Sequence, residues 1–217
     1  MIQSIAEPSS KLPASSFSTR ERILGAAEEL FASHGFAGAS LRQVTASAKV
    51  NLAAVNYHFG SKDNLIEEVF RRRLDDLNKR RLLALEGART RSSPGIDDVL
   101  DAFIRPALEL SISVHGGTAF VRVLARAFAE HNDRLRKFLS DNYGHVLREF
   151  AGDIATLLPD LAKEELYWRL DIISGALTYA MTDFGVIQRP HGVSRDEHRE
   201  RGIQHLIRFA VAGLRAP

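Results

Sequence analysis

Residues 40–62 read SLRQVTASAKVNLAAVNYHFGSK. Ser40 followed by Gln43 is a capping box at a helix start. Leu41, Val44 and Ala48 then put one face of that helix inward. A tight turn follows, a short second helix runs from about Leu52 to His58, and Ser61 caps a further one. The short second helix carries Asn51, Asn56, Tyr57 and His58 and no acidic residue. Phosphates repel carboxylates, and base edges need donors and acceptors, so this face suits a DNA groove.

Laid out at about 100° per residue, Leu52, Val55 and Phe59 fall together and are expected to face a small core. Ala53 and Tyr57 point the opposite way, with Ala54 and Asn56 on the flanks. Small residues let the backbone approach the bases, and an alanine methyl can touch a thymine methyl. Tyr57 and His58 can donate to phosphate oxygens. Lys62 stands at a helix start, where free N–H groups and the dipole favour an anion. An ordinary polar helix face explains each residue singly. The turn length, the Tyr-His pair and the following lysine together favour DNA.

Outward from this stretch, helical periodicity dominates. Ser18 and Glu21 fit another capping box, Ile23, Ala27, Leu30 and Phe31 recur at helical spacing, and Gly35 is expected to stop that helix. The helix capped by Ser61 carries Ile66, Phe70, Leu74 and Leu77 on one side and a dense basic set on the others. After a loop at Gly87 to Gly95, helices are expected over 96–113, 118–129, 132–157, 163–185 and 194–214. Breaks fall at His115-Gly116-Gly117, near Asn132, at Pro159 and around Pro190-His191-Gly192. No alternating strand pattern is present. The expected fold is all-α with about nine helices. Residues 1–17 form a mobile arm, 18–64 a three-helix DNA-binding domain, and 65–217 a larger ligand-binding and dimerisation domain. The arm reads as an unstructured leader, because Lys11 is its one basic residue.

Composition narrows the function. The 217 residues hold no cysteine, which excludes disulfides and cysteine-ligated metal and favours a reducing cytoplasm. The net charge of +2 is too small to attract nucleic acid by itself, so any DNA contact must come from a local patch. No apolar run reaches the ~20 residues of a membrane span.

The segment ILGAAEELFASHGFAGASLRQVTASAKVNLAAVNYHFGSKDNLI, from Ile23 to Ile66, resembles the helix-turn-helix of the TetR family of transcriptional regulators. Its Tyr-His-Phe-x-x-Lys ending is among the most diagnostic pieces. The resemblance implies a homodimer that binds a palindromic operator, with one recognition helix per subunit in successive major grooves. It implies phosphate contacts from Ser40, Arg42, Thr45, Tyr57, His58 and Lys62, and base contacts from Asn51, Ala53, Ala54 and Asn56. It also implies a repressor, released by a small molecule. One position departs from the pattern: Lys49 stands where the family usually has glycine in the turn. A left-handed backbone there costs a non-glycine residue about 1 kcal/mol.

The larger half is less legible. AFVRVLARAFA (119–129) is apolar nearly all round, with Arg122 and Arg126 four apart on one face. They either anchor an anionic ligand or form a solvated edge or internal ion pairs, for instance with Asp171 or Asp183. LYWRLDIISGALTYAMTDF (166–184) is also apolar on most sides, and Gly175 and Ala176 would allow close helix approach across a two-fold axis. Candidate pocket residues are Phe103, Leu124, Phe128, Trp168, Ile172 and Tyr179, against the alternative of plain core packing. Beyond the DNA-binding part, the chain is similar to the fatty-acid-responsive PsrA-type branch of the family, in VNLAAVNYHFGSK and in Tyr167-Trp168-Arg169. That likeness implies a fatty acid or acyl-CoA effector in an apolar tunnel with an arginine at one end.

Other classes fit less well. There is no His-Glu-x-x-His pair, Gly-rich phosphate loop, nucleophile elbow or paired carboxylate site, so an enzyme, a metal site and a cofactor are not expected. A helical adaptor that binds protein explains the apolar C-terminal helices. It leaves Tyr57, His58 and Lys62 without a purpose.

Overall fold

The computed structural model describes residues 17–112, 117–130, 132–182 and 189–217. The arm at 1–16, the break at His115-Gly116, His131 and Asp183 lie outside them. Among the described residues there are nine helices and no strand: α1 (Thr19–Gly38), α2 (Leu41–Ala48), α3 (Leu52–Phe59), α4 (Lys62–Arg89), α5 (Ile96–Ile112), α6 (Gly117–Ala129), α7 (Asp133–Leu157), α8 (Lys163–Ala180) and α9 (Arg195–Arg215).

Polar side chains set most helix starts. Ser18, Ser40, Asn51, Ser61, Asn132 and Ser194 each accept a hydrogen bond from the backbone N–H three residues on, which satisfies an otherwise orphaned donor. Ser40 and Gln43 form the full reciprocal box. α8 has no side-chain cap, and Glu164 and Glu165 in its first turn meet the positive end of its dipole instead. α8 ends at Ala180, short of the expected 185.

Gly35 does not stop α1. It takes φ 75 and ψ 173 inside the element, and the chain turns helical again to Gly38. The positive φ kinks the helix without ending it.

The core is continuous from end to end. Ile23, Leu24, Phe31, Val44, Val55 and Phe59 fill the space among α1, α2 and α3. Phe31, Phe36, Phe70 and Phe120 then form a chain of rings with centroids 5.7, 6.2 and 5.7 Å apart, running from α1 through α4 to α6. α4 therefore serves both halves. Its first turns close the three-helix unit, and its later turns pack on α5 and α7. A buried ion pair between Arg73 and Glu28, at 2.8 Å, ties α4 to α1 within this shared core.

Candidate nucleic-acid interface

The turn between α2 and α3 is left-handed at Lys49, with φ 54 and ψ 51. This is the departure noted in the sequence, and the strain is accepted. The turn aims α3 outward from the core. Val55 and Phe59 are fully enclosed, but Leu52 is 44% exposed. The expectation that all three face inward is corrected for Leu52. α3 is only eight residues long and reaches the core with its second turn, so its first turn projects.

The ten expected contact residues divide by what their polar atoms already hold. Arg42, Ala53, Asn56, Tyr57 and His58 are exposed, Tyr57 at 87%. The Tyr57 and His58 rings meet edge-on at 5.1 Å. Lys62 is half-buried at the first position of α4. The other four are withdrawn to differing degrees. Thr45 is buried and donates its hydroxyl to the Arg42 carbonyl at 2.8 Å. Ser40 donates to Gln43 Oε1 at 2.8 Å and accepts from the Gln43 N–H. Asn51 Oδ1 accepts from the Ala54 N–H at 2.8 Å, so its oxygen caps α3 and only its amide N–H groups remain for a base. Ala54 is half-buried against the core. In each instance a local cap or packing contact claims the side chain before DNA could.

Electrostatics favour the same face. No Asp or Glu occurs from Leu30 to Lys62. Of the five Arg and Lys residues from Thr19 to Lys62, Arg20 pairs with Glu21 and Glu68, whereas Arg22, Arg42, Lys49 and Lys62 make no ion pair among the described residues. Four arginines of α4 behave differently: Arg71, Arg72, Arg73 and Arg80 are matched to carboxylates. Arg72 and Arg73 thereby tie α4 to α1, Arg71 and Arg80 pair within α4, and the unpaired cations Arg42, Lys49 and Lys62 lie around the turn and α3. Acid-free spacing was the sequence signal for that, and it is clearer than net charge.

With this geometry in place, comparison with known proteins is decisive. Residues 23–69 match the family model of bacterial regulatory proteins, tetR family, and residues 101–213 match that of the tetracyclin repressor-like C-terminal domain. The chain belongs to the TetR family. This is a family of transcriptional regulators, not of enzymes. The chain is 42% identical over 59 residues to an HTH-type transcriptional repressor of Mycobacterium tuberculosis and 41% identical over 51 residues to the repressor NicS of Pseudomonas putida. These matches take in 27% and 24% of this chain and span only 31% and 24% of the relatives' own lengths. Among solved structures, a TetR-type regulator from Shewanella sp. PV-4 superposes with a TM-score of 0.64 at 19% identity, covering 89% of this chain and 98% of that one. The fatty acid degradation regulator FadR of Bacillus halodurans superposes with a TM-score of 0.60 at 15% identity, covering 92% and 98%. At such identities the likeness is one of fold.

In the TetR-type C-terminal half, the expected pocket residues do not gather in one cavity. Phe103 is core, edge-on to Phe150 at 5.1 Å. Leu124 is half-buried on the core. Phe128, Trp168, Ile172 and Tyr179 are 58, 62, 62 and 52% exposed. Trp168, Ile172 and Tyr179 sit at positions i, i+4 and i+11 of α8, one outward stripe. Arg122 reaches Glu29 at 3.6 Å. Arg126 donates to the carbonyls of Ala32 and Ser33 and lies 3.8 Å from Glu130. Both arginines are directed at α1. Arg126 is paired internally, whereas Arg122 forms a solvated edge with Glu29; Asp171 partners neither, and Asp183 lies outside the described residues. The location of the two arginines on α6 against α1 was invisible in the sequence because it depends on how two distant helices cross.

Among the described residues, no helix is long and apolar enough to cross a membrane, and no cluster of three His, Asp or Glu could hold a metal ion.

Proposed function

We propose that this TetR-family chain is a homodimeric repressor that binds a palindromic operator through α2 and α3 and is released by a small-molecule effector. One observation carries the reading: the exposed face of α3, with Ala53, Asn56, Tyr57 and His58, stands in a stretch without Asp or Glu, from Leu30 to Lys62, whose Arg42, Lys49 and Lys62 make no ion pair among the described residues. Arg42, Lys49, Tyr57, His58 and Lys62 hold phosphates, and Ala53 and Asn56 meet base edges, with the amide of Asn51 beside them. The projecting first turn supports this arrangement, because recognition helices read bases mainly with their N-terminal residues.

Dimerisation is supported by the outward stripe on α8 and by Phe209 on α9, 61% exposed. Large apolar side chains left this exposed fit an interface. Gly175 lies in the same stripe with open space where a Cβ would be, which lets a partner helix approach closely. Arg169 stiffens the platform by donating to the carbonyls of Gly213, Leu214 and Ala216 at the end of α9. An acyl effector loses its support, since the residues expected to form an apolar tunnel are dispersed.

The test is a salt titration of binding to duplexes selected from a random pool by the full chain. A palindromic consensus, with affinity falling steeply as salt rises, is the expected result. Binding with no sequence preference and no salt dependence would reject the reading.

A further inference from the structure

Arg81, on α4, has no carboxylate partner among the described residues. Its guanidinium lies 4.0 Å over the Phe103 ring, donates Nε to the Phe103 carbonyl at 2.9 Å, and sits 3.5 Å from Asn78 Oδ1. Burial pulls its pKa down to about 9. A desolvated cation answered only by a ring face and neutral oxygens leaves a positive field unspent.

Asn78 is itself 8% exposed, and it lines a groove of about 310 Å³ between α4 and α7. That volume is at the lower end of small-molecule sites. Lys79 and His145 stand in the lining, both exposed and without an ion pair among the described residues. Arg71 is shared between Glu68 at 3.0 Å and Asn142 Oδ1 at 3.5 Å. The one carboxylate in the lining, Asp75, accepts the neutral Tyr143 hydroxyl at 2.8 Å and keeps its negative charge at that side of the groove. Leu82 is the one aliphatic side chain there. Away from Asp75 the groove thus offers donors and the unpaired charge of Lys79, with Arg81 behind, and little for an acyl chain to bury against.

We propose that the groove between α4 and α7 binds a small polar organic anion, carrying a carboxylate or phosphate, through Lys79, His145 and Asn78 with Arg81 behind them. As the effector site, this rests on the regulator reading. α4 runs unbroken from Lys62, behind the recognition helix, to the groove, so a ligand seated between α4 and α7 touches the helix that carries the DNA-reading unit.

Calorimetric titration of the full chain with citrate, inorganic phosphate and octanoate, at matched ionic strength to remove general screening, tests it. Citrate or phosphate is expected to bind saturably, once per protomer, and whichever binds identifies the head group. The double variant Lys79→Ala with His145→Ala alters only exposed side chains and is expected to bind about tenfold more weakly, with an unchanged circular dichroism spectrum. The proposal is overturned if neither anion binds at millimolar concentration, if the folded double variant binds as tightly as the parent, or if octanoate binds best. Operator binding is measured separately without ligand. A chain that binds its operator but no anion refutes this site alone. One that binds the anion but no duplex refutes the regulator reading and upholds the site.

Discussion

Arg126 of α6 donates its Nε to the Ala32 carbonyl of α1 at 3.0 Å, and its Nη2 reaches the Ser33 carbonyl at 3.0 Å. One turn on, Glu130 Oε2 accepts the Phe36 N–H at 3.2 Å. These backbone groups flank Gly35, whose positive φ breaks the helical ladder. Two side chains of α6 therefore complete the hydrogen bonding of a kink in α1. Arg126→Ala is expected to lower stability by about 1–3 kcal/mol in denaturant melts. Combined with Glu130→Ala, the loss is expected to be smaller than the two separate losses added, because both support one kink. Strict additivity would show that the kink does not depend on them jointly.

Gly35→Ala adds two separate penalties. The backbone at φ 75 disfavours any Cβ, and the new Cβ would lie 2.5 Å from Glu130 Oε1. At φ 75 and ψ 173 the chain lies in a region essentially restricted to glycine, so the backbone part is about 1–3 kcal/mol. Glu130→Ala in the same chain should relieve the steric part and leave the backbone part, so thermal melts of the four proteins in this cycle separate the two. A Gly35→Ala chain as stable as the parent would contradict the assigned kink.

At Lys49 the opposite change should help. Lys49→Gly removes a left-handed lysine and is expected to raise stability by about 1 kcal/mol. The same substitution removes one unpaired cation from the DNA face, so operator affinity should fall while the melting temperature rises. A variant that loses stability contradicts the strain at φ 54.

Arg42 isolates the phosphate contribution. Its side chain is exposed and makes no ion pair among the described residues, so Arg42→Ala should leave the melting temperature unchanged. It should reduce the slope of log affinity against log salt by about one unit. Asn56→Ala should instead change sequence preference at one position with little change in slope. Identical effects from the two would dissolve the division into phosphate and base contacts.

For the dimer, Trp168→Glu or Ile172→Asp places charge on the outward stripe of α8. Both side chains are 62% exposed in the single chain, so the protomer should still fold. Sedimentation is expected to show a shift towards monomer, and operator binding should weaken with it. An unchanged mass distribution would exclude this face.

Glu200 links acid stability to the packing of α9 on α5. Hydrogen bonding to Arg105, at 2.6 Å, and then to Gln204 holds its carboxyl down at about 2. A depressed folded-state value means that the stabilisation is present above the ordinary carboxylate value of 4.5 and is lost as pH falls towards 2. The side chain is 49% exposed, so solvent screening limits the gain to less than about 1 kcal/mol. Glu200→Gln should be slightly less stable than the parent at neutral pH, and the gap should close through that acid window. A gap that widens with acid would reverse the assignment.

Much of the candidate DNA interface could be read directly from the chain because it is local. Ser40–Gln43, Asn51–Ala54 and Ser61–Asn64 are contacts over three residues, and such caps are written in the spacing itself. The same locality misled in places: Thr45, Ser40 and the oxygen of Asn51 looked available for DNA, but they serve neighbouring backbone. Leu52 followed the helical wheel yet not the core, since a wheel carries angle and not depth.

The sequence by itself determined an all-α chain, its helix boundaries to within a few residues, the helix-turn-helix, and the family resemblance that the family match bears out. All of these rest on periodicity and on contacts between near neighbours. Only the tertiary structure decided that Arg126 grips α1, that Phe103 is core while Trp168, Ile172 and Tyr179 face outward, and that Arg81 lies behind a polar groove. Those outcomes depend on how helices tens of residues apart cross and on which side of each meets another, and a helical repeat of apolar residues fits several such crossings equally well.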